Sequence, residues 1–408
     1  MKQYNVGVIG LGQRGSALLS SMMACPECNV MALSDLYEDR IQKGIEIVKK
    51  QRGTTPKAYP DWKRLVDDPE VEVVMIICDW EMHIPMAIYA MEAHKIVGSE
   101  VAGAYSVQDC WNLVEAYERT RTPIMMLENC CFDEFELLAN AVYRDGMLGE
   151  ILYAHGCYGH DLREEILGGN VNRHYRLRNY LSRNGENYPT HELGPVAKTL
   201  DINRGNRLLS LSSFGTRPGA NLENFEEDPR CPDKALKGKS FAQSDIVTTT
   251  LQTEKGQVIT LRLDTSLPRF YAREFTLRGT KGLAMADNKL ILKDGEIPEI
   301  YDTYEFIKKN MGNSELYKEK YLPSVWKNIT PEQRDLGHGG MDYIEFRIFF
   351  DCLNQGKEFP IDVYDMAAWM AITPLSEESI RKGGETLDIP DFTKGAYKTR
   401  PILNSVLD

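Results

Sequence analysis

The sequence predicts an α/β chain in two parts. A doubly wound parallel sheet is expected over residues 1–124, and an α+β domain with a large, open, mostly antiparallel sheet over 125–408. Three observations predict this. The chain opens on an apolar strand, a glycine turn and an amphipathic helix, YNVGVIGLGQRGSALLSSMMACP, followed by a second apolar strand ending in Asp35. Apolar strands then alternate with helical periodicity to about residue 124, the pattern of βαβ units. Beyond that point the rhythm changes to strands with one covered face.

Each element of the first part follows from its residues. Gly10, Gly12 and Gly15 are spaced G-x-G-x-x-G. Gly10 permits the tight turn and Gly12 lets the backbone approach a pyrophosphate. The helix opening near Gln13 turns its amide end toward that anion. Asp35 can accept hydrogen bonds from an adenosine ribose and would repel a 2′-phosphate, so the ordered set predicts NAD rather than NADP. VEVVMIICDW, IVGSE and TPIMMLENCC read as further strands, with HIPMAIYAMEAHK and VQDCWNLVEAYERTR as the helices between them. Ligands on such a Rossmann sheet bind beyond the carboxyl ends of the strands. That edge carries Trp80, Glu81 and His83, then Glu100 and Val101, then Glu128 and Asn129.

In the second part FDEFELLANAVYRDGMLG reads as a helix closed by a glycine, and EILYAHGCYGHD as a strand. From 241 onward an antiparallel meander is expected, with turns at Glu254-Lys255-Gly256 and Lys281-Gly282. The polar stretches 212–240 and 308–340 read as surface loops. DVYDMAAWMAITPLSEESIRKGG reads as a last helix, one that can pack back on the first domain.

Composition narrows the function. A net charge of −12 over 408 residues, with no Lys/Arg run, argues against nucleic acid, and no apolar run is long enough to cross a membrane. Nine scattered cysteines do not make a disulfide framework. Cys25 and Cys28 form a lone CxxC with no second pair for a zinc site, so no metal is expected. The chain runs straight into an apolar strand without a signal-peptide pattern. A cytoplasmic location is expected, with a removed export signal the alternative. An open antiparallel sheet often pairs between subunits, so a dimer or tetramer is expected.

Four of the seven histidines lie between 155 and 191, interleaved with Tyr158, Tyr175, Tyr180 and Tyr188 and with several arginines. A strand would place Tyr158 and His160 on one face. In YPTH, Pro189 and Thr190 look like helix-entry residues, which would set Tyr188 and His191 on one face as well. Two Tyr/His pairs downstream of a dinucleotide fold suit a polyhydroxylated substrate and proton transfer. The plainer reading of each residue is a satisfied polar group at a core edge.

Over nearly its whole length the chain resembles the glucose–fructose oxidoreductase / inositol dehydrogenase (Gfo/Idh/MocA) family. It departs from the ordinary dehydrogenases of that family. In SEVAGA, Val101 stands where they carry a catalytic lysine, and Asn187 holds the acid position of the Asp-x-x-x-His motif that ends at His191. MLEN, YGHDLR, YRLR, NGENYPTH, DINRGNR, LDTSLPRFYAR and GHGGMD together resemble one branch, glycoside hydrolase family 109. The resemblance implies an NAD-dependent glycosidase like the α-N-acetylgalactosaminidases. Such an enzyme acts by transient oxidation at sugar C3, elimination and water addition, an exception to the two-carboxylate mechanism. It further implies that Gln13, Arg14, Asp35, the turn Trp80-Glu81-Met82-His83, Glu100, Val101, Asn129, Arg176 and Tyr188 bind NAD. Tyr158, Tyr188, Pro189, Thr190, His191 and Tyr271 would face the sugar. Tyr188 and His191 are expected to handle protons at C3 and C2, with Tyr158 and His160 near C2 or the leaving group and Glu128 as the carboxylate candidate. The alternatives are an NAD-dependent sugar or cyclitol dehydrogenase and a non-catalytic NAD-binding sensor.

Overall fold

Local apolar runs build the first sheet. The computed structural model of the protein describes residues 2–225, 227–228, 231–295 and 303–406. They divide into two units, one of residues 1–132, 324–367 and 403–408, the other of 133–323 and 368–402. In the first unit the strands are β1 (Tyr4–Ile9), β2 (Cys28–Ser34), β3 (Lys57–Tyr59), β4 (Val73–Ile76), β5 (Ile96–Glu100) and β6 (Ile124–Leu127). They form one parallel sheet in the order β3-β2-β1-β4-β5-β6. β4 and β6 are buried along their whole length, as strands covered on both faces must be. The reversal of strand order beside β1 is the topological switch point where such sheets take ligands.

The sequence reading placed everything after residue 124 in the second domain, whereas 324–367 belong to the first unit. The reason lies in the helix Met341–Gln355. It buries Ile344, Phe346, Ile348, Phe349 and Phe350, too much apolar surface for a solvent-facing position. It packs on the helix Gln13–Met23 and on the short turn Asn129–Phe132. The last helix, expected to be able to return to the first domain, divides in two. Its first piece, Val363–Met370, starts in the first unit, where the Tyr364 hydroxyl donates to Glu118 Oε1 at 3.2 Å. Its second piece, Ile372–Arg381, packs on a strand of the second sheet.

That second sheet contains β7 (Ile151–Gly159), β8 (Leu208–Gly215), β9 (Ile246–Thr253), β10 (Val258–Asp264), β11 (Thr276–Gly279), β12 (Gly282–Met285), β13 (Leu290–Lys293) and β14 (Leu387–Asp388). Their order is β13-β12-β11-β7-β10-β9-β8-β14. All neighbours are antiparallel except β7 and β10, which run parallel with Tyr158 opposite Leu263. The meander and both turns stand as the alternation predicts, with Ile259, Leu261 and Leu263 buried on one face of β10.

Two expected loops carry structure. β8 runs to Gly215, and its serine-rich sequence hides the strand pattern. Buried Ser213 is satisfied by hydroxyls, its Oγ 2.8 Å from Thr249 Oγ1 and its N–H donating to Ser379 Oγ at 2.9 Å. Of the stretch 212–240, residues 226, 229 and 230 lie outside the described residues. The stretch 308–340 contains the short helices Glu315–Tyr321, Ser324–Lys327 and Pro331–Arg334, too short and polar to show an apolar period. Among the described residues, no helix is long and apolar enough to cross a membrane.

One close approach positions the site of the second unit. The helix Thr190–Thr199 lies on β7 over Gly156, where a Cβ would come 2.1 Å from the Glu192 carbonyl oxygen. Gly156→Ala is therefore expected to lower unfolding free energy by about 1–3 kcal/mol, measured by urea denaturation. A wild-type midpoint in that variant would refute the close fit.

Candidate active site

In the first unit the glycine turn fits a dinucleotide. Gly10 has φ +94°, and a Cβ there would lie 2.3 Å from the Ile77 carbonyl oxygen. A Cβ at Gly15 would lie 2.0 Å from the Gly10 carbonyl oxygen, so the turn and the following helix can close only on glycine. The helix Gln13–Met23 has Gly12 at its N-cap and no side-chain cap, which leaves its amide end for an anion. Asp35, just past β2, anchors this turn. Its Oδ2 accepts from the Leu11 N–H at 2.7 Å and its Oδ1 from the Tyr37 N–H at 3.0 Å.

The turn expected at Trp80–His83 is the first turn of the helix Trp80–Glu92, with Trp80 and His83 buried. His83 Nε2 is 3.2 Å from the Cys78 carbonyl oxygen, and burial pulls its imidazole below the ordinary value, so it is neutral at pH 7. Glu81 accepts from the Tyr105 hydroxyl at 3.3 Å. Met82 is half-buried beside them.

Past β5 and β6 the edge carries a charged network. Arg14 donates from Nε to Glu100 Oε1 at 2.7 Å, and from Nη1 and Nη2 to the two oxygens of Asp342 at 2.7 and 3.1 Å. Asn129 Nδ2 donates to Asp342 Oδ1 at 2.8 Å, and His338 Nδ1 lies 3.0 Å from Asp342 Oδ2. Burial alone would raise the Asp342 carboxyl, but the His338 hydrogen bond and the Arg14 guanidinium outweigh it and hold it well below the usual range. The Val101 N–H donates to Glu100 Oε2 at 2.9 Å. Glu128 is fully buried, with Oε1 accepting from the Cys130 N–H at 3.1 Å. Glu345 is also fully buried, neither of its oxygens has a hydrogen-bond partner among the described residues, and burial beside Glu100 and Asp342 pushes its carboxyl well above the ordinary range.

Sequence reasoning missed Asp342, His338 and Glu345 as parts of this edge. The signal for His338 and Asp342 was at hand in GHGGMD, but the stretch it ends reads as a surface loop, and Glu345 lies just beyond it. Cys25 and Cys28 are buried free thiols, the former pushed up to about 12 by burial.

The second unit gathers the aromatic and imidazole candidates. β7 delivers Tyr158 at its end, with His160 just beyond, and the Tyr158 hydroxyl is 3.2 Å from His160 Nδ1. Pro189 caps the helix Thr190–Thr199, so Tyr188 immediately precedes it and His191 sits in its first turn. The rings of Tyr188 and His191 meet edge to face with centroids 4.7 Å apart. Tyr158 lies 4.7 Å from Tyr188 and 5.3 Å from His191, and Tyr271 lies 5.2 Å from His160. Pro189 and Thr190 are buried and form the frame of the turn. Tyr271 is half exposed, and its hydroxyl accepts from Arg273 Nη1 at 3.3 Å.

One cation serves this cluster from behind. The Arg176 guanidinium is 4.9 Å from the Tyr188 ring centre and 6.0 Å from that of Tyr158, with Nε 2.5 Å from Glu165 Oε1. Glu165 also lies 3.5 Å from His174 Nε2. Burial, then the Arg176 charge, lowers the His160 imidazole, so it is an unprotonated base at neutral pH. Tyr158, His160, Tyr188, His191, Arg176 and Tyr271 are thus brought together within the second unit; Glu128 is part of the first.

Comparison with known proteins agrees with both halves. Residues 4–127 match the oxidoreductase family with an NAD-binding Rossmann fold, and residues 133–399 match the glycosyl hydrolase 109 C-terminal domain. A glycosyl hydrolase family 109 protein of Stenotrophomonas maltophilia is 36% identical, covering 98% of this chain and 91% of that protein. An alpha-N-acetylgalactosaminidase of Tannerella forsythia is 34% identical over 96% of this chain and 86% of its own length. Among solved structures, levoglucosan dehydrogenase in complex with NADH and levoglucosan shares the fold, with TM-score 0.69, 19% identity and coverage of 95% of this chain and 100% of that one. The chain therefore belongs to glycoside hydrolase family 109, and it is an NAD-dependent glycosidase built on the Gfo/Idh/MocA fold.

Proposed function

We propose that the protein hydrolyses α-N-acetylgalactosaminides by transient oxidation at C3, elimination of the C1 substituent and addition of water. The observation that carries this reading is the makeup of the cluster in the second unit. Direct displacement needs two carboxyl groups flanking the bond. Here the rings are phenols and imidazoles, and the carboxylates of the same unit that act on His160 are taken up by cations, Glu165 by Arg176 and His174, Asp161 by Arg163. The galactosamine preference rests on the relative of that name.

The glycine turn, Asp35 and the edge residues beyond β4, β5 and β6 would hold NAD, which when bound would supply the hydride chemistry at C3. The chain's own residues move protons. Tyr188 and His191, ring against ring, take the C3 hydroxyl proton and then the C2 proton that a C3 ketone makes acidic. Tyr158 and His160 form a relay of hydroxyl and neutral imidazole toward the departing group. Tyr271 borders the sugar, and Arg176 holds the two tyrosine rings. Val101 offers no basic side chain at the position where dehydrogenases of the fold use lysine, which favours elimination over plain oxidation. A cytoplasmic location suits a chain whose nine cysteines are all free thiols. Pairing through the open sheet would make it a dimer or tetramer.

The test uses an aryl α-N-acetylgalactosaminide, with aryl release and the NADH absorbance followed together. Aryl release without stoichiometric NADH, and deuterium at C2 of the product in heavy water, are expected. Steady NADH accumulation over an intact glycoside would identify a dehydrogenase instead.

A further inference from the structure

The segment bearing Tyr188 and His191 is bracketed by two acids that the chemistry above does not use. Glu186 precedes Tyr188 by two residues and Glu192 directly follows His191; they are 0% and 1% exposed. Their carboxyl groups lie within hydrogen-bonding reach of one another, and among the described residues neither has another side-chain partner or an ion pair. A carboxylate only accepts hydrogen bonds, so two of them can meet in a dry interior only with a proton between them.

Among the described residues, the surroundings offer no cation to replace that proton. Glu186 faces the backbone amides of Tyr188 and Leu263, and Glu192 that of Arg262. From β7 the neighbour is the Cys157 thiol, pushed up to about 12 by burial and so uncharged. Arg262 and Arg269 are engaged by Glu274. On the helix Glu134–Arg144, Glu136 is held by Arg273, and on Ile372–Arg381, Glu377 is held by Arg183. That last helix contributes neutral groups to the pair. Thr373 Oγ1 donates to the Glu186 carbonyl oxygen at 2.6 Å, and the Glu186 N–H donates to Ser376 Oγ at 2.8 Å.

We infer that Glu186 and Glu192 are positioning residues, sharing one proton so that the bond between them closes the chain from 186 to 192 and holds Tyr188 and His191 against each other. Burial pushes Glu186 up to about 8 and Glu192 well above its ordinary value, as the shared proton requires. When the proton leaves, two like charges in a medium of low dielectric separate, and the 4.7 Å contact of the catalytic rings opens with them. Activity then has an alkaline limb that belongs to this pair.

The inference rests on the proton-handling role proposed for Tyr188 and His191, so one arm of the test is independent of turnover. Wild type, Glu192→Gln and Glu186→Gln are compared as NAD-loaded proteins; either variant suffices if the other does not fold, because glutamine can donate to the remaining acid without a shared proton. Infrared difference spectra between pH 7 and pH 10 should show a protonated-carboxyl band in wild type that each variant lacks. The native state keeps a proton that the unfolded chain releases, so wild-type stability falls as pH rises from about 4.5 to 8. The melting temperature of the variants should fall less across that window. With the aryl glycoside, wild-type kcat/KM should drop roughly tenfold per pH unit above the pair's ionisation, and the variants should lose that limb. An infrared band unchanged by both substitutions would overturn the shared proton. A band lost with the alkaline limb intact would overturn the positioning role. Absence of glycosidase activity in wild type would refute the proposed reaction and leave the infrared and melting arms to judge the pair.

Discussion

Tyr188→Phe is expected to lower kcat/KM for an aryl α-N-acetylgalactosaminide by about 10²–10⁴-fold, the range for losing one positioned acid–base group. The substitution removes a hydroxyl and keeps the ring, so the packing against Tyr158, His191 and Arg176 survives. The measurement is steady-state turnover alongside NAD binding and thermal unfolding. NAD binding and melting temperature close to wild type would locate the loss in chemistry. The groups around Tyr188 act as a unit, so adding His191→Ala should cost much less than the product of the two single effects. Activity within threefold of wild type in Tyr188→Phe would remove Tyr188 from proton transfer altogether.

The second large effect concerns stability. Arg14→Leu is expected to destabilise the first unit by about 3–5 kcal/mol, because it leaves buried carboxylates without their cation. Arg14 is 31% exposed, but Glu100 and Asp342 are 7% and 1% exposed, and Asp342 depends on it for two hydrogen bonds. Without Arg14, the buried Asp342 carboxylate would be left with His338 and Asn129 as its partners among the described residues. Urea unfolding followed by Trp fluorescence reads the loss. Arg14→Leu combined with Asp342→Leu should recover much of it, since removing both charges is far cheaper than removing one. A single variant as stable as wild type would mean that water reaches these carboxylates.

The signals that survived into the structure are local ones. Gly10, Gly12, Gly15 and Asp35 lie within one βαβ unit, where short-range sterics dictate the geometry, and each stands where its spacing implied. Tyr188 and His191 are close because a proline-capped helix starts between them, again a local cause. What escaped the sequence depends on residues far apart in the chain. The Arg14 contact with Asp342 spans 328 positions, and no periodicity reports that the helix Met341–Gln355 returns to the first unit. β8 escaped because its buried positions are Leu208, Leu211 and Ser213, the last a hydroxyl paired with Thr249, so the usual alternation of apolar and polar residues is broken. The Glu186–Glu192 pair escaped for a different reason. Acids look solvated in a sequence, and nothing in it shows that these two are buried and within reach of one another.

The parallel pairing of β7 with β10 bears on how the molecule assembles. Hydrogen bonds between these neighbours, such as His155 to Thr260, join residues 105 positions apart. His160, Arg176, Tyr188 and His191 all lie on the chain that must be wound in between. Closing so long a connection costs entropy before any pairing repays it, so the centre of this sheet is a slow step for a newly made chain. The ring cluster rides on that crossover, so its placement on the sheet is tied to the pairing of β7 with β10.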